Sequence, residues 1–284
     1  MTLFKVQQAL SISEYQETVR PFLQQRESAN NLMLGLLSKL EVKATPYLLV
    51  IRNPHHQIQC AAFQTSPQHN LLLSWCDDEA AVDALADEAF MKSPRIPGIL
   101  GPKHLARRFV DRWARHAGKS ARLEVQERIY ALSTVRPGED RTGTFRWANP
   151  PDALWMIPWL LDFVREATPE APDMTAEQSF SSRVAACRHE AGFMIMEVQG
   201  QPRSIAGYSG STGKGIRVAP VYTPQAERRQ GYASTVVRHL SKTLLDLGYQ
   251  QVFLFTDLDN PTTHHIYQHI GYEPIIDVDQ YRLR

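Results

Sequence analysis

The stretch ERRQGYAS, residues 227–234, decides how the rest of the chain is read. Two arginines, a glutamine and a glycine lead straight into an apolar run of helical period. Ala233, Val236, Val237, Leu240, Leu244 and Leu247 follow one another at i, i+3, i+4, i+7, i+11 and i+14. That spacing predicts a single apolar stripe on a helix over 231–247, with Gly248 as its stop. The first turn of any helix leaves backbone N–H groups without internal partners, and the macrodipole makes that end positive. An anion there gains about 0.3–1 kcal/mol from the dipole alone. Gly231 lets a ligand approach the backbone, Ala233 is small, and Arg228 and Arg229 carry charge suited to phosphate oxygens. The competing reading is a plain turn glycine beside solvated arginines. Neither G-x-x-x-x-G-K-[ST] nor G-x-G-x-x-G is present, which argues against an ordinary ATP or NAD site.

Working outward, GIRVAPVYT (215–223) precedes the turn as a strand and QVFLFTDL (251–258) follows the helix as another. FMIMEVQ (193–199) and RSIAGYSG (203–210) add two strands before them. Pro220 cannot donate to a ladder, so the strand is expected to be interrupted or splayed there. Asn260-Pro261 reads as N-cap and N1 of a short helix closed by Gly271, and EPIIDVDQYRLR (273–284) as a final strand region. Two helices, 147–167 and 175–192, are expected after the polar stretch RPGEDRTGT (136–144), the best linker candidate. The first half has the same grammar. PYLLVI, IQCAAF, LLLSW, IPGIL and ARLEVQERIYALSTV read as strands, with helices over 77–91 and 103–118. Both halves run several strands, then helix, strand, helix, strand. We therefore expect two domains, residues 1–135 and 136–284, in an α/β protein.

The totals set limits. The chain has 284 residues, 43% of them hydrophobic, with 31 Lys and Arg against 30 Asp and Glu. A near-neutral chain lacks the basic excess of a bulk nucleic-acid binder, so no nucleic-acid partner is expected. Three scattered cysteines make no disulfide framework. LWMIPWLLDFV (154–164) is too short to span a bilayer, and MTLFKVQQAL lacks a signal-peptide core. A cytoplasmic protein without a membrane partner is the expectation.

Arg228-x-x-Gly231-x-Ala233 resembles the [RQ]-x-x-G-x-[GA] motif of the GNAT superfamily of acetyl-CoA-dependent N-acetyltransferases. The order strand, turn, helix, strand, Asn260, Tyr267 matches as well, and NPTTHHIYQHIGYEPI resembles the family's closing segment. The resemblance covers about residues 140–284. The whole chain further resembles a bacterial tandem type whose N-terminal half is degenerate, with ANNLMLGLL (29–37) and PGILGPKHLARRF (97–109) in support. It implies a mixed, mostly antiparallel central sheet flanked by helices, in two GNAT-like halves. It also implies acetyl-CoA as co-substrate, no metal, and a primary amine of a small molecule or peptide as acceptor. The pantetheine arm falls to Val221, Tyr222 and Thr223. The diphosphate falls to Arg228, Arg229, Gln230, Gly231, Tyr232, Ala233 and Ser234. Asn260 contacts the cofactor arm and Tyr267 is the general acid that protonates the leaving thiolate. Tyr267 lies seven residues past Asn260, so both share one helix face. Glu197 is the first candidate for the base, because it interrupts the apolar alternation of Phe193 and Ile195; Asp257 and Asp259 come second. Packing for Tyr267, capping for Asn260 and simple exposure for Glu197 are the competing readings. The N-terminal half has no counterpart of the motif and is expected to bind no CoA in the usual way. A noncatalytic acyl-CoA sensor is the alternative function, and oligomeric state stays open, a homodimer included.

Other signals are set aside. His264, His265 and His269 include an i, i+4 pair but no H-E-x-x-H pattern. Cys187-Arg188-His189-Glu190 is isolated. Gly207-Tyr208-Ser209-Gly210-Ser211 is followed by a strand, which does not suit a nucleophile elbow. Arg107, Arg108, Arg112 and Arg115 form a basic helix face, read as solvated.

Overall fold

The fold is that of a computed structural model, which describes residues 4–40, 46–92, 95–118, 120–167, 184 and 191–284. Two compact units divide the chain: residues 1–130, 255–261 and 274–284 make the first, and residues 131–254 and 262–273 the second.

In the first unit the strands lie in the order β1 (Lys5–Gln8), β2 (Tyr47–Arg52), β3 (Ile58–Gln64), β4 (Leu71–Leu73), β5 (Gly98–Pro102), β12 (Glu273–Leu283), β6 (Ala121–Leu132). β1 through β4 pair antiparallel and β4 pairs parallel with β5. The unbroken apolar runs of β2 and β3 have a direct cause: both faces are covered. Leu49, Ile51, Cys60 and Ala62 face a core shared with α3 (Ala80–Lys92) and α4 (Lys103–Ala117). Leu48, Val50, Ala61 and Phe63 face α1 (Ile12–Gln24) and α2 (Asn31–Leu37). The C-terminal strand belongs here. Val278–Arg282 of β12 pair antiparallel with Pro102–Gly98 of β5. Arg128 of β6 makes a fork of two hydrogen bonds, at 2.6 and 3.0 Å, to Asp277 of β12.

In the second unit the order is β11 (Gln251–Asp257), β10 (Gly215–Tyr222), β9 (Gln201–Ser209), β8 (Gly192–Val198), β7 (Thr144–Trp147). β7 through β10 are antiparallel and β10 runs parallel to β11. α6 (Tyr232–Asp246) crosses between β10 and β11 and packs over β8, β9 and β10. α5 (Ala153–Ala167) covers the opposite face through Met156 and Leu160, which meet Phe193, Ile195, Ile205 and Tyr222. α7 (Pro261–Ile270) ends at Gly271, whose φ of +115° only glycine adopts readily. The two halves of the chain thus repeat one succession in sequence: antiparallel strands, a crossover helix, a parallel strand, a helix, a last strand. The sheets are mixed and mostly antiparallel, as expected.

Several elements differ from the sequence reading. β7 takes Trp147 out of the expected helix 147–167, because Pro150 and Pro151 cannot donate helical bonds. Asn149 and Asp152 then form a capping box, and α5 starts only at Ala153. Pro158 sits inside α5 without ending it. Leu247, expected in the apolar stripe, caps α6 and is 55% exposed. β1 and α1 carried no clear periodic signal. The expected helix 175–192 and the Cys187–Glu190 cluster fall almost wholly outside the described residues. No described helix is long and apolar enough to cross a membrane.

Candidate active site

The turn before α6 has the conformation its sequence requires. After the short 3-10 turn Gln225–Glu227, Arg228 is extended, Arg229 takes φ +64° and Gly231 takes φ +82°. Gly231 is the N-cap of α6 and gives it no side-chain hydrogen bond. The first helical bond runs from Thr235 N–H to Gly231 O at 3.1 Å. The N–H groups of Tyr232, Ala233 and Ser234 therefore stand ahead of it, and the Ser234 hydroxyl turns away from them to donate to Gly231 O at 2.8 Å. Gln230 and Gly231 are exposed. A helix start of this kind fits a phosphate better than any acidic side chain of its own.

Arg228 already has partners within the protein. Its Nη2 lies 2.7 Å from both carboxylate oxygens of Glu166 on α5, and its Nε donates to Thr223 O at 3.0 Å. Its guanidinium also stands 5.7 Å from the centre of the Tyr222 ring. Arg228 thus ties the turn to the end of β10 and to α5. Arg203 of β9 bonds Glu227 and fixes the other side of the turn.

β10 is irregular where proline was expected to interrupt it. Its parallel ladder with β11 covers Gly215–Arg217 against Gln251–Phe253. Its ladder with β9 shifts register between Val218 and Val221. Ala219–Pro220 is cis. Tyr222 is buried, and Trp159 of α5 stands 6.1 Å from its ring. Thr223 is buried too, with its hydroxyl 2.8 Å from that of Ser204.

Tyr267 lies on α7, half-buried, with its ring 5.9 Å from that of Tyr272 in an edge-on contact. Burial pushes its phenol up to about 12. Tyr272 is anchored in turn by Ser241 of α6, hydroxyl to hydroxyl at 2.8 Å. Asn260 belongs to the stretch 255–261 of the first unit, and its N–H donates to Asp257 O at 3.1 Å. Asp257 accepts from Asp259 N–H at 2.9 Å in a local turn.

Glu197 has a structural partner that sequence spacing did not show. Arg146 of β7 donates from Nε to its Oε1 at 2.8 Å and forks onto Asp152 at 2.7 and 2.8 Å. Arg146 holds the Asp152 carboxyl below the usual range, mainly through this fork. The Oε2 of Glu197 makes no hydrogen bond among the described residues.

The set-aside signals resolve simply. Arg108 and Arg112 of α4 fork onto Asp83 and Asp87 of α3, so that half of the basic face is a neutralised helix–helix seam, while Arg107 and Arg115 bond Asp111 within α4. His265 and His269 pack on one another, ring centres 4.1 Å apart. Among the described residues no cluster of His, Cys, Asp and Glu could hold a metal. The first unit's counterpart of the anion turn is acidic: Asp77, Asp78 and Glu79 stand where α3 begins, and Asp78 accepts from Ala80 N–H at 3.0 Å. Carboxylates at the positive end of a helix occupy the place an anion would take.

The site thus sits in a mixed sheet flanked by helices, with a parallel crossover entered through an uncapped glycine turn. Residues 156–272 match the Acetyltransferase (GNAT) family. That stretch, within the second half of the chain, is similar to a GNAT acetyltransferase domain. Solved structures resemble it over its whole length. One is a Drosophila protein at TM-score 0.65 and 13% identity, covering 100% of this chain and 99% of that one. Another is a tandem GNAT protein from the clavulanic acid biosynthesis pathway, at 0.60 and 12%, covering 99% and 98%. A third is a GNAT-family acetyltransferase from Colwellia psychrerythraea, at 0.58 and 13%, covering 99% and 100%. At such identities the likeness concerns fold, and it extends to both GNAT-like halves. No curated protein matches the sequence.

Proposed function

We propose that the protein transfers the acetyl group of acetyl-CoA to a primary amine by direct attack, using the second half. The observation that carries this is the uncapped start of α6 behind Gly231, on the family's own motif. The N–H groups of residues 232–234 hold the diphosphate, with Arg229 and Gln230 at the rim and Arg228 fixing the turn through Glu166. The bulged end of β10, Val221 to Thr223, lines the pantetheine arm. Asn260 is assigned to that arm on the resemblance alone.

Tyr267 is the proposed acid. A phenol near 12 is a weaker acid than a thiol near 8.5, so it keeps its proton in the resting site. Its help to the departing sulfur starts as a hydrogen bond rather than a completed transfer. Glu197 is the proposed base through its Oε2, since Arg146 already takes Oε1. The residues 136–284 are proposed to carry the chemistry and 1–135 to scaffold it, with the acidic start of α3 keeping CoA out of the first half.

The test is an assay of free thiol released from acetyl-CoA across a panel of primary amines. Thiol release that depends on the amine, and falls in Glu197→Gln, supports the transferase. CoA binding without amine-dependent release from any acceptor would favour a noncatalytic acyl-CoA sensor.

A further inference from the structure

The expected linker, residues 136–144, is a strap in space up to the start of β7 at Thr144. Arg136 N–H donates to Ile270 O at 2.8 Å. Arg238 of α6 then reaches over the strap, donating to Arg136 O at 2.6 Å and to Asp140 at 2.9 Å. Gly138 lies so close under the Arg238 guanidinium that any side chain there would displace it. One turn back along α6, the buried Thr235 accepts from Arg141 N–H through its hydroxyl at 3.0 Å. These anchors deliver one side chain to one place. Arg141 Nε lies 3.1 Å from where a Cβ on Gly231 would stand.

The charges around the turn sort themselves accordingly. Arg228 is neutralised by Glu166, and Arg203 by Glu227. Arg141 is exposed, and its guanidinium makes no hydrogen bond or ion pair among the described residues. A cation has been carried by an ordered strap to the glycine of an uncapped helix start, and no carboxylate among the described residues balances it there. A planar guanidinium forks naturally onto phosphate oxygens. Its backbone is already fixed, so less ordering remains to be done on binding.

We propose that Arg141 is a diphosphate-binding residue of the site at 228–234, supplied by the segment that joins the two halves. This rests on the reading that the turn holds coenzyme A. It explains two glycines at once. Gly231 leaves room for both the ligand and the Arg141 side chain, and Gly138 lets Arg238 clamp the strap.

Calorimetric titration of the full-length protein with CoA and with 3′-dephospho-CoA tests it. Arg141→Gln is expected to weaken both ligands about tenfold, the scale of one charge-assisted contact. Arg141→Lys should restore part of the loss, because it returns the charge without the fork. The melting temperature without ligand should not move, since the side chain holds nothing in the fold. Wild-type affinity in Arg141→Gln would overturn the assignment. So would a loss confined to CoA, which would place the arginine on the 3′-phosphate. Wild-type protein that binds neither compound would instead sink the transferase reading itself, and this assignment with it.

Discussion

Tyr267 shows how a residue can be singled out in the sequence while its setting stays hidden. Its place after Asn260 in the motif order marked it as an acid. The sequence did not show that burial would push its phenol to about 12 and that Tyr272 would lie against it. An acid must be protonated to act, so its contribution is present below that pKa and lost only as pH rises through about 12. The rate should therefore show no alkaline limb from this group between pH 7 and 10. Tyr267→Phe should lower kcat about a hundredfold, the low end for acid catalysis, with a smaller change in KM for acetyl-CoA. An unchanged kcat in steady-state kinetics would remove Tyr267 from the chemistry. Arg228 and Glu197 teach the complementary lesson. Their residue types suggested phosphate and proton, but Glu166 and Arg146 lie 62 and 51 residues away in the chain and were invisible to local spacing. Arg141 escaped notice for the same reason: nothing in RPGEDRTGT says that it reaches Gly231.

At the scale of elements, periodic helices and two-sided strands were readable, and elements set by turn chemistry were less so. α6 was found within a residue at each end because its stripe is broad and a glycine marks each terminus. α1 was not read, since only Tyr15, Val19 and Leu23 are buried, a stripe one residue wide. The basic face of α4 was read as solvated; Arg108 and Arg112 of it face α3 instead. There Asp83 and Asp87 sit below their ordinary pKa, held chiefly by their hydrogen bonds to Arg108 and Arg112. A depressed carboxylate stabilises the fold at pH values above its unfolded pKa near 3.9, and that contribution fades as pH falls through the folded value. Asp83→Asn should therefore cost about 1 kcal/mol in urea unfolding at pH 7. At pH 3 the gap from wild type should narrow. A gap that stays constant across this range would mean the seam is held by packing rather than charge.

Across the whole molecule, the repeated succession of strands and helices was visible in the sequence, but the destination of the last strand was not. EPIIDVDQYRLR follows the second half in the chain and completes the sheet of the first, because pairing with β5 depends on register, which no local pattern encodes. A fragment of residues 136–284 leaves Val278–Arg282 without their β5 partner. It should aggregate or unfold without cooperativity, as an open apolar strand edge does. A monomeric fragment with a sharp thermal transition, seen by size exclusion and circular dichroism, would show that the exchange is dispensable. The proposed activity depends on the start of α6 holding an anion. The most direct measurement of this is a crystal structure of the full-length protein with CoA. The account predicts diphosphate density within hydrogen-bond reach of the N–H groups of residues 232–234 and of the Arg141 guanidinium. Density for CoA elsewhere, with that turn bare, would contradict it.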